Sequence, residues 1–396
     1  MLIGIVGKPN VGKSTFFKAL TLAEVEIANY PFATIKPNHG IAYVRVEDIG
    51  KEFGVTPNLR EGFIMNDIRF VPVEVMDVAG LVPGASEGKG LGNQFLDDLR
   101  QADAFIHIID ASGGTNEKGE IVEPGSHDPL IDIRFIEQEL DAWYMGIFMK
   151  VWDKFVRQAK MEHVEASRAI GKQFSGLKIN EELVKKIISD LNLSENLGDW
   201  KNEDLEVFVK ELRKRSKPMI IAANKADSSH AERNIERIKR ETDHMVIPTS
   251  AVSELALKEA HKKGLIHYVP GSSEFRIIDE SRLTDEQRKA LSYIEEKVLK
   301  RYGSTGVQEV IDKAVFDLLG YIAVFPAGHK RLMDSHGNIL PDCFLMPPGS
   351  TALDLAQRIH EDLAKNFIKA IDVRTGKALG KDYLLKHRDV IEIVTK

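Results

Sequence analysis

Leu2-Ile3-Gly4-Ile5-Val6 runs directly into Gly7-Lys8-Pro9-Asn10-Val11-Gly12-Lys13-Ser14-Thr15. The first five residues are apolar and include Ile and Val, the pattern of a buried parallel strand. Gly7 to Ser14 satisfies G-x-x-x-x-G-K-[ST] in full. Phe16, Phe17, Ala19 and Leu20 then continue at helical spacing. Strand, glycine loop and helix in this order predict a phosphate cradle. The glycines let backbone N–H groups turn inward around an anion, and a helix starting near Lys13 aims its positive end at the same point. Lys13 is expected to reach the β- and γ-phosphates of a nucleotide, with the Ser14 hydroxyl on Mg2+.

Two further stretches extend this reading. Phe70-Val71-Pro72-Val73-Glu74-Val75-Met76 is strand-like and ends on Asp77-Val78-Ala79-Gly80. A carboxylate there can hold magnesium through water, and Gly80 can bring a backbone N–H to the γ-phosphate. Pro72 suggests an edge or a bulge in that strand. Pro218-Met219-Ile220-Ile221-Ala222-Ala223 leads into Asn224-Lys225-Ala226-Asp227. The Asp227 carboxylate matches the N1–H and amine donors of guanine, and adenine would leave it unpaired. That mismatch costs several kcal/mol, on the order of 10⁴-fold. The Lys225 stem can lie over the base. Ser250-Ala251 is supported only by its position after Met245-Val246-Ile247-Pro248; its backbone could approach guanine O6. Thr34, in the loop between the first helix and the strand Gly40 to Val46, is a candidate third oxygen for magnesium.

With these motifs in place, the sequence resembles the Obg family of GTPases, closest to its YchF-like branch. Tyr30-Pro31-Phe32-Ala33-Thr34 matches the family's first switch loop. The run from Asp77 to Leu96, DVAGLVPGASEGKGLGNQFL, matches its glycine-rich second switch. The YchF proteins proper carry an altered base motif and accept ATP, whereas Asn224-Lys225-Ala226-Asp227 is intact. The resemblance therefore implies GTP hydrolysed to GDP and phosphate as a conformational switch, with the ribosome or another translation component as partner. A P-loop ATPase and an RNA-binding module with weak hydrolysis are the alternatives. Leu81 stands where many small GTPases place a water-orienting glutamine. Asn10, by resemblance, helps hold K+ beside the β,γ-bridging oxygen and would offset charge there. The expected nucleotide contacts are thus Gly7, Pro9, Asn10, Val11, Gly12, Lys13, Ser14, Thr15, Asn224, Lys225, Asp227, Ser250 and Ala251. Lys13, Thr34, Gly80 and Asn10 are the candidates for catalysis, and Ser14, Thr34 and Asp77 for magnesium.

The rest of the chain is organised around this core. The expected fold is α/β: a Ras-like P-loop G domain over 1–127 and 216–281, interrupted by a helical hairpin over 128–215. A helical bridge over 282–319 and a β-grasp TGS domain over 320–396 follow. Asp128-Pro129 opens the insertion, and Leu130, Ile133, Ile136, Leu140 and Trp143 recur at helical spacing. Trp143, Trp152 and Trp200 all fall in it and read as packing anchors. Its basic end, Lys210 to Lys217, could face solvent or touch RNA phosphates. Thr284 with Gln287 has the form of a capping box. Pro347-Pro348-Gly349-Ser350-Thr351 predicts a turn and an N-cap before a helix from Leu353 to Leu363.

Composition bounds the function classes. The chain has 396 residues, 43% of them apolar, and a net charge of −6. That supports two or three domains with real cores and argues against a basic coat, so DNA is not an expected partner. A single cysteine, Cys343, permits no disulfide within the chain. No apolar stretch approaches the roughly 20 residues of a membrane span, and the apolar N-terminus is too short for a signal peptide. A cytoplasmic protein is expected.

Overall fold

The computed structural model describes residues 1–22, 38–78, 100–328, 332–334 and 336–396. Thr34, Gly80 and Leu81 lie outside them. The chain divides into two compact units, Met1–Phe17 with Val75–Val252, and Lys18–Glu74 with Ser253–Lys396.

The first unit is built on parallel strands. β1 (Leu2–Val6) pairs with β5 (Ala104–Asp110), β5 with β6 (Met219–Asn224), and β6 with β7 (Val246–Pro248). Every residue of β1, β5 and β6 is buried, as expected of strands covered on both faces. β4 (Ile68–Asp77) ends on the other side of β1, and the Val78 N–H reaches the Ile5 carbonyl at 3.0 Å. The strand order therefore reverses at β1, so the loops at the carboxyl ends of these strands border the crevice where such folds bind ligands.

Between β5 and β6 the long helix expected after Asp128-Pro129 is present as α2 (Pro129–Met149), and the insertion closes on α6 (Asn202–Ser216). The chain joining them is itself helical: α3 (Trp152–Glu162), α4 (Ala166–Gln173) and α5 (Glu181–Asp190). The insertion is thus a small bundle, larger than a hairpin. Its centre is aromatic. Phe148 stacks on Phe174 with centroids 3.9 Å apart, and Trp200 meets Phe208 edge-on at 4.9 Å. Trp152 lies 6.0 Å from Trp200. The tryptophans are packing anchors.

The basic end of α6 is engaged within the unit. Buried Arg213 binds Asp141 at 2.6 Å, and Arg215 bridges Glu211 and Asp190. Lys217 donates to the carbonyls of Arg100 and Ala102, and burial pulls its pKa down to about 8. Those cations are committed to structural partners, which weakens a phosphate-binding role for the run.

The second unit holds β2 (His39–Glu47), β3 (Phe63–Met65) and most of β4, together with the C-terminal segments. Thr284 and Gln287 form the foreseen capping box ahead of the helix Asp285–Ile294. The last module is a five-stranded sheet. Its order is β9 (Phe344–Met346), β8 (Ile322–Pro326), β12 (Asp389–Thr395), β10 (Phe367–Asp372) and β11 (Ala378–Leu379). Thr351 caps the helix Ala352–Ile359 through a second capping box with Asp354. That helix stops short of Leu363. His360 is extended (φ −166°) and its ring accepts from the Asp362 N–H at 3.1 Å, starting a new turn.

This module is fastened to the β2–β4 segment by ion pairs and backbone bonds. Arg374 grips Glu52 with two nitrogens at 2.6 and 3.0 Å, and Arg388 pairs with Glu47 at 2.9 Å. Arg69 is buried at the centre. It binds Asp48 at 2.7 Å, donates to the Leu340 carbonyl at 2.8 Å and lies 5.2 Å from the Phe325 ring centroid. Arg69→Met keeps the bulk but leaves a buried carboxylate unpaired, so it should cost about 3 kcal/mol of unfolding free energy in urea. Adding Asp48→Asn should restore part of that loss. A single-variant loss under about 1 kcal/mol would contradict this account of Arg69.

Candidate nucleotide site

The glycine loop is shaped by what touches it. Gly12 has φ +95°, and a Cβ there would come within 2.3 Å of Asn224 Nδ2. Only glycine fits. A Cβ on Gly7 would meet the Ile108 carbonyl at 2.7 Å. Asn10 is also left-handed, at φ +62°. α1 (Lys13–Thr21) starts immediately after the loop, with the Phe16 N–H on the Gly12 carbonyl at 2.9 Å. Ser14 and Thr15 sit in its first turn, where N–H groups lack partners within the helix.

Asn224 joins three of the motifs. Its Nδ2 donates to the Val11 carbonyl at 2.8 Å, and its Oδ1 accepts from the Ala251 N–H at 3.0 Å. Glycine loop, base motif and the Ser250-Ala251 turn are therefore held as one piece. Ser250 Oγ donates to Asp227 Oδ1 at 2.9 Å, and the Ala226 N–H reaches the Thr249 carbonyl at 3.0 Å. At the other end, the Lys13 ammonium forms an ion pair with Asp77, whose side chain is 23% exposed. Lys13, Ser14 and Asp77, expected at the phosphates, and Asn224, Lys225, Asp227, Ser250 and Ala251, expected at the base, thus all lie in one compact unit.

Hard oxygen donors on Ser14 and Asp77 suit magnesium, and Asp77 already carries a cationic partner in Lys13. The donor set fits the metal that P-loop GTPases bind with their nucleotide.

The segment 111–128 adds contacts that the motifs did not announce. Asn10 Nδ2 donates to the Gly119 carbonyl at 2.9 Å. Lys8 is buried, its ammonium 2.9 Å from the Thr115 carbonyl and 2.8 Å from Asp132 on α2. His127 also binds Asp132, at 2.9 Å. Burial raises the Asp132 pKa, against the opposing pull of Lys8 and His127. His107 on β5 lies beside a cavity that Lys8 and Asp132 also line, and burial lowers its pKa to about 3, so it is neutral at neutral pH. Lys225, at φ +60°, sends its ammonium to Asp110 at 2.7 Å. The only sequence signal for Asp110 was an acid closing an apolar strand. Lys8 gave none beyond its place in the loop.

Three family models match the chain. One described as Obg-like GTPase YGR210-like, G4 motif-containing domain, covers residues 222–328, one described as 50S ribosome-binding GTPase covers 2–133, and a TGS domain covers 335–395. An uncharacterised GTP-binding protein of Methanocaldococcus jannaschii is 52% identical over 100% of this chain and 99% of its own length. The ribosome-binding ATPase YchF of Mycoplasma genitalium is 30% identical, covering 98% of this chain and 97% of its own. Among solved structures, a GTP-binding protein from Pyrococcus horikoshii OT3 is 42% identical with a TM-score of 0.80, over 100% of both chains. Among the described residues, no helix is long and apolar enough to cross a membrane.

Proposed function

Because the chain belongs to the YchF-like branch of the Obg family of P-loop GTPases, with a C-terminal TGS domain, we propose that it binds GTP in preference to ATP and couples hydrolysis to docking on the ribosome. The observation that supports this reading is the two-ended grip of Asn224, which ties the end of β6 to the glycine loop and to Ala251, with Ser250 bonded to Asp227 beside it. A carboxylate so held presents acceptors to the two guanine donors. Gly7, Pro9, Val11, Gly12 and Thr15 would supply the phosphate cradle, and Lys13 would exchange its Asp77 partner for phosphate oxygens. Ser14 and Asp77 would hold magnesium, which supplies positive charge against the phosphates. Thr34 and Gly80, on the switch loops, would respond to the γ-phosphate.

The ribosomal partner rests on the names of the matching family model and of the YchF relatives. The insertion and the TGS domain are the parts proposed to meet it, in the cytoplasm. Co-sedimentation with ribosomes, in non-hydrolysable GTP analogue and in GDP, tests the switch. Equal pelleting in both states, or none in either, would end this reading. Competition by ATP as strong as by GTP would replace the base assignment with an ATPase.

Asn10 is proposed to support hydrolysis through K+. Donating from Nδ2 to Gly119 leaves the amide oxygen as the atom available to a cation. Single-turnover hydrolysis should then run about tenfold faster in potassium than in sodium at equal ionic strength, with GDP affinity unchanged. Asn10→Ala should remove most of that difference. Equal wild-type rates in the two salts would sink the idea.

A further inference from the structure

Asp110 is the last residue of β5 and is 1% exposed. A carboxylate buried to that degree is retained only with strong partners. It has three. Oδ2 takes the Lys225 ammonium at 2.7 Å. Oδ1 accepts from the Ser112 N–H at 3.0 Å and from Ser112 Oγ at 2.5 Å. Ser112 Oγ in turn accepts from the Gly114 N–H at 3.2 Å, so the chain leaving β5 wraps around the carboxylate. The β5–β6 register sets Asp110 directly opposite Asn224, and the Ala111 N–H donates to the Asn224 carbonyl at 2.9 Å. Lys225 follows Asn224 in the left-handed conformation and spans from the end of β6 to the end of β5.

We propose that Asp110 is a positioning residue for nucleotide recognition: by anchoring the Lys225 ammonium it fixes the lysine stem as the wall against which the guanine lies. This rests on the base-site reading given above. A free lysine has side-chain rotamer entropy to lose when it covers a base. Here the ammonium is already committed at the strand end, and the stem is held before the nucleotide arrives. Asp110 itself needs no contact with the ligand. Ser112 holds the carboxylate in the orientation that meets Lys225.

The base end is common to GTP and GDP, so the effect must be the same on both. Asp110→Asn keeps the shape and removes the charge. It should weaken GTP and GDP about tenfold each, read as faster release of a fluorescent GDP analogue. Single-turnover hydrolysis at saturating GTP should stay within about twofold of the wild type, which a general loosening of the site would not allow. Lys225→Ala should weaken both nucleotides more, and adding Asp110→Asn to it should cause no further loss. Should Asp110→Asn fail to fold, Ser112→Ala, which removes one of the bonds orienting the carboxylate, should still speed GDP release about threefold. Wild-type GDP release in Asp110→Asn, or in Ser112→Ala if it is the variant used, beside a weakened Lys225→Ala, would overturn the positioning role alone. A loss in the double variant that adds to that of Lys225→Ala would do the same. Wild-type affinity in Lys225→Ala would overturn the base-site reading and this proposal with it.

Discussion

Lys13→Ala should lower the affinity for both GTP and GDP by about 10³-fold, roughly 4 kcal/mol. Lys13 starts α1, its side chain is 14% exposed, and its ammonium is already paired with Asp77. In the complex this ammonium would leave Asp77 for the phosphate oxygens, so its removal takes the charge-assisted hydrogen bonds made at the start of α1 away from the phosphates. The fold should be spared, because the loop is held by Asn224 and by the Gly12 geometry and not by this ion pair. Titration with a fluorescent GDP analogue, beside a melting curve, separates the two effects. Unchanged affinity in a folded Lys13→Ala protein would mean that the nucleotide sits elsewhere.

Asp227→Asn should cost GTP on the order of 10³–10⁴-fold and gain xanthosine triphosphate in exchange. Asp227 is locked by Ser250 Oγ at 2.9 Å, so the side chain cannot swing to relieve a mismatch. An amide in its place offers guanine a donor where guanine also has a donor. Xanthine, with a carbonyl at that edge, restores the pairing. A buried polar group left facing its own kind carries the full desolvation penalty, which is why the exchange is steep. Competition assays with the two triphosphates on the wild type and the variant are the measurement. An Asp227→Asn protein that still prefers GTP would remove Asp227 from base recognition.

These residues were legible in the sequence because each motif is local. A glycine loop needs its glycines within eight residues, and the base motif needs its four side chains at one strand end. The helices of the insertion were legible only in part. Periodicity gave the first long one, but α3 ends at His163 with φ +52°, and the turn after α4 closes on Lys178 with φ +61°. Left-handed residues that are not glycine carry no punctuation that a sequence reader can use. The basic run at the end of α6 could be read as a solvated face or an RNA contact; its charge is plain in the sequence, while two of its acidic partners, Asp141 and Asp190, lie on other helices.

The sequence by itself determined the phosphate loop, the base motif, the parallel strands that carry them and the β-grasp module at the end. In each, spacing and backbone freedom alone restrict what the residues can do. Only the tertiary structure decided that Lys225 is held by Asp110, 115 positions away, and Lys8 by Asp132, 124 positions away. It also decided that the β2–β4 segment packs with the C-terminal module around Arg69. Buried charges choose partners by proximity in a desolvated interior. Which charge becomes a neighbour is fixed by strand register and helix packing, and neither is written in the order of the residues.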